Sequence, residues 1–287
     1  MRCRPLAVSS AVLVALFIVA ATLLLPAAFA QQPALQLVQP APQPVPPPQG
    51  TPREPQLVQR DPQAVAILRQ SIAAMGGATV PLNDTVVQAT VSNPSAGSAP
   101  RPVTIKTLGG DRIRWDAGGE AMVVSGGRGM RLKGGQWTSA PALNARNRRV
   151  EHIPALLLMA ELVRGEVSVA YLGEEAVDGR TTKQVRVARV AVTTGDYDRQ
   201  LTKNSELDLF IDSQTFLLLK LSYTQPLAFD WREGVPMEVF YADYRNVAGL
   251  AIPFAQRSVL NGNVISELQI IGIQLNTGLV AAEFEGR

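Results

Sequence analysis

Residues 239–259 read VFYADYRNVAGLAIPFAQRSV, which predicts a β-strand, a turn at Gly249 and a second β-strand. Apolar side chains occupy both faces of the first strand, since Val239 and Tyr241 point one way and Phe240 points the other. An antiparallel strand with one face in water alternates more regularly between apolar and polar residues. The hairpin therefore needs apolar partners on both of its faces.

The chain divides into three regions by composition. Residues 1–30 carry Arg2 and Arg4, a long apolar run and small residues before Gln31, a pattern typical of a secretory signal peptide cleaved after Ala30. An uncleaved membrane anchor is the alternative, because the apolar run is just long enough to span a bilayer. Residues 31–60 are rich in Pro and Gln, which predicts a disordered linker, and residues 61–287 form the predicted folded domain.

Cysteine, histidine and charge exclude several classes of function. The one cysteine, Cys3, lies in the predicted signal peptide, so the remaining chain has no disulfide and no thiolate site. A single histidine, His152, excludes multi-histidine metal sites, and we predict no metal and no cofactor. Beyond residue 30 the chain has 25 basic and 24 acidic residues, so we predict no nucleic-acid partner.

The folded region is predicted to be mainly β with two or three helices. One amphipathic helix starts at Asp61, and a second, at 153–165, is apolar almost all the way round. About eleven short strands, several separated by Gly-Gly turns, occupy the rest of the domain. Because the connections are short, we predict one strongly curved antiparallel sheet with the helices on its concave face.

Two helices cannot cover the whole concave face of such a sheet. The uncovered apolar surface predicts either a cavity for an apolar ligand or a plain filled core. In the strand around 216–224, Leu217, Leu219 and Leu221 are expected to share the lining face, and in the next strand Phe240 and Tyr244 are expected to face inward with Tyr241 outward. The candidate cavity-lining residues are Leu68, Ile72, Trp115, Leu157, Leu158, Leu217, Leu219, Leu221, Tyr223, Phe240, Tyr244, Ile252 and Phe254.

Five segments, taken in order, resemble the LolA/LolB-type lipoprotein carriers of the bacterial periplasm. They are AVAILRQSIAAMGG at 64–77, LGEEAVDGRTTKQVRV at 172–187, LFIDSQTFLLLKLSY at 209–223, the hairpin at 239–259 and IQLNTGLVAAEF at 273–284. The resemblance implies an unclosed β-barrel with helices over its concave face, in which acyl chains are bound. It also implies a periplasmic protein that is secreted across the inner membrane.

The function predicted from the resemblance is a carrier or sensor that binds a lipid or the acyl group of a lipoprotein. Its expected partners are a lipid or acylated protein and an envelope protein, and the protein is expected to be a monomer and not an enzyme. Two alternatives stay open. One is a hydrolase that uses carboxylates such as Asp230, Glu233 or Asp243. The other is a scaffold part of an envelope complex that docks through the Pro-rich segment.

Overall fold

The computed structural model describes residues 58–77, 79–140, 150–163, 166–190, 196–227 and 233–286. These residues belong to one compact unit, Pro55–Arg287. The predicted signal peptide and all but the last residues of the predicted linker lie outside the described ranges. Within these ranges, no helix combines the length and the apolar character that a membrane crossing requires.

The described chain forms thirteen strands, three α-helices and two short 3-10 helices. The first six strands are β1 (Asp84–Asn93), β2 (Ser98–Leu108), β3 (Arg112–Ala117), β4 (Glu120–Ser125), β5 (Arg128–Lys133) and β6 (Gln136–Ala140). The other seven are β7 (Val167–Val177), β8 (Arg180–Arg189), β9 (Leu207–Asp212), β10 (Leu218–Pro226), β11 (Gly234–Val247), β12 (Leu250–Leu260) and β13 (Asn263–Leu275). The α-helices are α1 (Pro62–Ala74), α2 (Pro154–Val163) and α3 (Asp196–Ser205), and the 3-10 helices are Pro94–Ala96 and Ala281–Phe284.

All thirteen strands belong to one antiparallel sheet in the order β6-β5-β4-β3-β2-β1-β13-β12-β11-β10-β9-β8-β7. The first and last strands pair at the centre of the sheet, and β6 and β7 are its two edges, so the barrel is not closed. This confirms the predicted curved sheet and unclosed barrel. The three α-helices agree with the predicted two or three, whereas the estimate of about eleven strands was low. Strand β6 and helix α3 were not identified from the sequence.

Tight glycine turns explain the regular hairpins in the first half of the sheet. The turns between β3 and β4, β4 and β5, and β5 and β6 each hold two glycines with positive φ. Two-residue hairpin turns of this kind need positive φ at both central positions, which glycine adopts without a steric penalty.

Helix α1 is fixed at both ends to the sheet. The Asp61 carboxylate accepts hydrogen bonds from the backbone N–H of Gln63, at 2.8 Å, and of Tyr171 in β7, at 3.1 Å. At the other end the Met75 carbonyl accepts a hydrogen bond from the Ala251 N–H, at 3.0 Å. Asp61 is thus both the N-cap of α1 and a contact to the edge strand.

The chain just before α1 pairs with edge strand β7. The Gln59 carbonyl accepts a hydrogen bond from the Val169 N–H at 2.8 Å, and the Asp61 N–H donates to the Val169 carbonyl at 2.9 Å. A parallel bridge links Arg60 to Val169. Gln59 and Arg60, the last residues of the predicted linker, therefore contact the sheet and cover part of its edge.

Two apolar clusters fill the space between the helices and the sheet. The first joins α1 and α2 to β7–β11, and the second joins the start of α2 to β1–β3, β12 and β13. The sheet face that carries these contacts is called the inner face below, and the opposite one the outer face. A smaller third cluster, which contains Val177, Phe210 and Leu219, has no helical member.

Candidate functional site

The hairpin of β11 and β12 supports the chain that leads into α2. The Tyr241 hydroxyl donates a hydrogen bond to the Glu151 carbonyl at 2.9 Å, and the Gln256 amide donates to the His152 carbonyl at 3.0 Å. Burial raises the pKa of Tyr241 above its ordinary value, so its hydroxyl stays protonated and able to donate. The apolar surface of the hairpin is thus explained on its inner face by the two helix-containing clusters.

Most of the candidate residues lie in the first cluster. Its members on the helices are almost fully buried, with exposed fractions of 1% for Leu68 and 2% for Leu157. The candidates in this cluster or packed against it are Leu68, Ile72, Leu157, Leu158, Leu217, Leu221, Tyr223 and Tyr244. These side chains contact each other and the sheet, so beneath the helices they act as a packed core.

Three more candidates belong to the second cluster. Ile252 and Phe254 are buried members, and Trp115 is half-buried and packs against them. With Leu219 and Phe240 in the third cluster, the candidate set is therefore split among three clusters and is not gathered around one chamber. Two surface grooves of the described chain, of about 240 and 300 Å³, are lined by strand and turn residues and by none of α1 or α2.

Leu219 and Phe240 lie on the outer face, so their expected inward orientation is wrong. The pairing of β10 with β9 shifts between Leu218 and Lys220, which leaves Leu219 as the extra residue of a β-bulge. Leu219 and Phe240 pack with Phe210 in the third cluster. Because the bulge reverses the alternation, Leu218 is an inner-face residue and Leu219 is not.

Tyr241 and Tyr244 both contact the first cluster, with a backbone irregularity at Asp243 between them. The register of β11 with β12 is the same on both sides of Asp243, but the φ of Asp243 is left-handed, at 54°. Tyr241 was expected to face outward, but it shares the inner face with Val239 and is buried at 5% exposure. The Tyr244 hydroxyl donates to the Leu218 carbonyl at 2.7 Å. Asp243 itself forms an exposed ion pair with Arg245, at 2.6 Å.

The inner face of β4–β6 lies beyond the helix-containing clusters. On this side the second cluster ends at β3, with Ile113, Trp115 and Ala117, and none of its members is on β4–β6. Cross-strand pairs share a face of the sheet, so the register defines which side chains continue this surface. They form a cross-strand row, which consists of Ile105, Trp115, Met122, Arg131 and Thr138.

The cross-strand row changes from apolar to polar as it approaches the edge of the sheet. Ile105 is fully buried, Trp115 and Met122 are half-buried, and the Arg131 side chain is 35% exposed. A single contact of 3.5 Å links Arg131 to Glu120, whose side chain is 36% exposed. The row is thus an amphipathic surface. Its inner end, at Ile105 and Trp115, is apolar, and its outer end, at Arg131 and Thr138 near the sheet edge, is polar.

The His152 ring packs beside Trp115 at the inner end of the row. Its ring lies edge-on to Trp115, with 6.1 Å between the ring centroids, and it is only 3% exposed. Burial lowers the pKa of His152 to about 3, so the imidazole is neutral near pH 7. Nε2 has no hydrogen-bond partner among the described residues.

Sequence reasoning missed Met122 and Arg131, although it predicted their strands. Strand β4 carries apolar side chains on both faces, with Met122 on the inner face and Val123 on the outer one. Only the register that connects them to Trp115 and Ile105 decides which residues face inward. The alternation of side chains within each strand could be identified from the sequence. Which of the two alternating sets faces inward could not.

The chemistry of the hydrolase alternative finds no support in this arrangement. Asp243 is engaged by Arg245 at the surface, Glu233 is exposed, and Asp230 lies outside the described residues. No group of three or more histidine, cysteine or carboxylate side chains in the described ranges is arranged to hold a metal ion.

Three of the solved structures that share this fold are bacterial proteins. A domain from Vibrio parahaemolyticus assigned as an outer membrane lipoprotein-sorting protein matches with a TM-score of 0.55 and 12% identity, over 78% of this chain and 96% of that one. A LolA superfamily protein from Nitrosomonas europaea matches with a TM-score of 0.51 and 13% identity, over 78% and 97%. A DUF1329 family protein from Desulfovibrio piger matches with a TM-score of 0.52 and 12% identity, over 77% and 97%.

No protein-family model and no curated protein matches the sequence. The solved structures nevertheless confirm the resemblance at the level of architecture, and the protein has a LolA-like fold. At 12–13% identity these matches establish the fold alone.

Proposed function

We propose that this protein is an exported envelope carrier or sensor that binds the acyl chain of a lipid or lipoprotein on the inner face of β3–β6. The observation that carries the proposal is the cross-strand row, where Trp115 at the limit of the second cluster and Met122 beyond it both stay half-buried. An apolar surface inside a curved sheet, next to a few polar groups, has the composition of a site for an amphiphile.

The position of the site differs from the one expected at first. The candidates under α1 and α2, such as Leu157, serve the packed core, and Trp115 is the candidate that joins the proposed site. The LolA-like fold supports a binding role, because the similar Vibrio domain is assigned to lipoprotein sorting. A signal peptide at residues 1–30 and a periplasmic location belong to the same proposal.

Native mass spectrometry of the protein purified after export tests the proposal directly. We expect additional mass from one bound lipid, which organic solvent removes and which is identified in the extract. In the emptied protein we expect binding of a fluorescent fatty acid with a changed emission spectrum. Protein that carries no lipid and binds no acyl probe would contradict the proposed function.

A pair of methionine variants locates the site. Met122→Glu places a carboxylate on the inner face of β4, and we expect at least about tenfold weaker binding of the acyl probe, because the charge must lose water when the chain binds. Met130→Glu changes the same residue type on the outer face of β5, where Met130 is also half-buried. We expect this control to bind the probe normally, provided that circular dichroism shows both variants folded.

A further inference from the structure

Arg131 and Glu120 place two opposite charges at the outer end of the proposed acyl site. Arg131 pairs across the strands with Met122, and Glu120 precedes Met122 by two residues on the same face of β4. The ion pair between them is a single contact of 3.5 Å, with about a third of each side chain exposed. This is a weak, solvent-accessible pair that leaves most of the five guanidinium donors free for a ligand.

Two neighbouring basic residues, Arg114 and Lys106, are committed to the outer face. Arg114 donates to both Asp116 oxygens, at 2.9 and 3.0 Å, and to the Glu283 carbonyl at 3.0 Å, and Lys106 pairs with Glu283 at 2.6 Å. Among the arginines of β3–β5, Arg131 is the one on the inner face, beside the apolar row, and Lys133 is an exposed cation on the same face at the turn into β6.

The row also fixes the direction in which an amphiphile would lie. Neighbouring strands are about 4.8 Å apart, so Arg131 on β5 lies roughly 10 Å from Trp115 on β3, with Met122 between them. The inner end is closed by His152 and the start of α2, and the outer end is polar. A ligand with its tail on Trp115 and its head at the sheet edge matches this order of groups.

We infer that the inner face of β3–β5 selects amphiphiles with an anionic head, which Arg131 binds through its guanidinium while the tail lies on Met122 and Trp115. This inference rests on the proposed acyl-binding function and adds the chemistry of the head group. A guanidinium forms paired hydrogen bonds with carboxylate and phosphate oxygens alike, so either head satisfies it. Glu120 competes with the ligand head for Arg131.

Isothermal titration of the full-length exported protein with dodecyl phosphate, dodecanoate and dodecanol tests this selection. All three are used below their micelle concentrations. We expect the two anions to bind about tenfold or more tightly than the alcohol, since a hydrogen bond to a charged group is lost with the alcohol. The ratio between phosphate and carboxylate distinguishes a phospholipid head from a fatty-acid head.

Charge variants assign the selection to Arg131. We expect Arg131→Gln to remove the preference for the anions and to leave dodecanol binding unchanged. Arg128→Gln, an exposed arginine at the start of the same strand, is the matched control and should keep the preference. Glu120→Gln should tighten binding of dodecyl phosphate, because it removes the competing carboxylate.

Each result separates the head-group inference from the proposed function. Equal binding of all three ligands, or an equal loss in Arg131→Gln and Arg128→Gln, would overturn the inference and leave acyl binding intact. Weaker phosphate binding by Glu120→Gln would overturn it as well. Failure of the wild-type protein to bind any of the three would overturn acyl binding itself.

Discussion

The buried, neutral His152 makes the stability of the protein depend on pH between the pKa of its imidazole in the folded state and that in the unfolded state. Its pKa in the folded protein is about 3, against about 6.5 in an unfolded chain. Between these values the unfolded state binds a proton that the folded state does not. Because protons therefore favour the unfolded state, the free energy of unfolding is highest above pH 6.5 and falls as the pH is lowered towards 3.

The size of the effect follows from the same two values. Well below pH 6.5 each pH unit costs about 1.4 kcal/mol, so lowering the pH from 7.5 to 4.5 should cost about 2.7 kcal/mol. This is a large part of the 5–15 kcal/mol that is usual for a folded domain. His152→Phe keeps an aromatic ring beside Trp115 and removes the titrating group, so the variant should lose this slope.

Urea unfolding followed by circular dichroism at pH 4.5, 5.5, 6.5 and 7.5 measures both proteins. The carboxylates of Asp84 and Asp212, whose pKa values their hydrogen bonds lower, titrate below this range and in both proteins equally. His152 is the only histidine, so its single imidazole NMR signal should also stay unshifted down to pH 4.5. A stability difference between wild type and variant that is constant from pH 4.5 to 7.5 would refute the reasoning.

Three further predictions concern the stability of the folded domain. A Cβ at Gly76, where φ is 79°, would lie 2.0 Å from the Gly249 carbonyl oxygen, so Gly76→Ala should lower the free energy of unfolding by clearly more than the 1–2 kcal/mol of a left-handed backbone alone. Gly97→Ala, at a φ of 63° with open space around it, supplies that baseline in the same urea titration, and equal losses would contradict the close contact. Phe284→Ala should cost about 3–5 kcal/mol, because this ring is 2% exposed against the outer face, and a loss below 1 kcal/mol would show that the C-terminal segment is not fixed there. A chain that starts at Val58 should melt like the full protein. A chain that starts at Pro62 should be at least about 1 kcal/mol less stable, because it lacks the Asp61 cap and the pairing with β7. Identical melting of the two shortened chains would contradict the stabilising role of residues 58–61.

The sheet and its class could be predicted because their signals are local. Alternation within each run and paired glycines between runs identify antiparallel hairpins without any long-range information. Two elements gave weak signals. Strand β6 has five residues with one large apolar side chain, Trp137, and helix α3, DYDRQLTKNS, is too polar to show a helical apolar face.

The site could not be predicted because it depends on phase and register. The run Leu217 to Leu221 is almost uniformly apolar, so nothing in it marks the bulge at Leu219. The left-handed backbone of Asp243 was equally hidden, because an aspartate alone is a weak signal for that conformation. Inward and outward positions were therefore exchanged near these two irregularities.

The pairing of β1 with β13 at the centre of the sheet has a consequence for how the chain folds. The two strands join Thr85 to Leu275, roughly 190 residues apart, whereas every other pair in the sheet follows directly along the chain or nearly so. Strands β1–β6 and β7–β13 can thus each form early as a run of local hairpins. The pairing of β1 with β13 should form last, because it closes the longest loop.

Until β13 is made, β1 is an unprotected edge with alternating apolar side chains, open to pairing with any other extended chain. The chain consequently passes through a stage in which one of its two central strands is an edge open to aggregation. A nascent chain released before residue 263 would carry that exposed edge permanently, so β13, near the end of the sequence, protects the first strand of the domain.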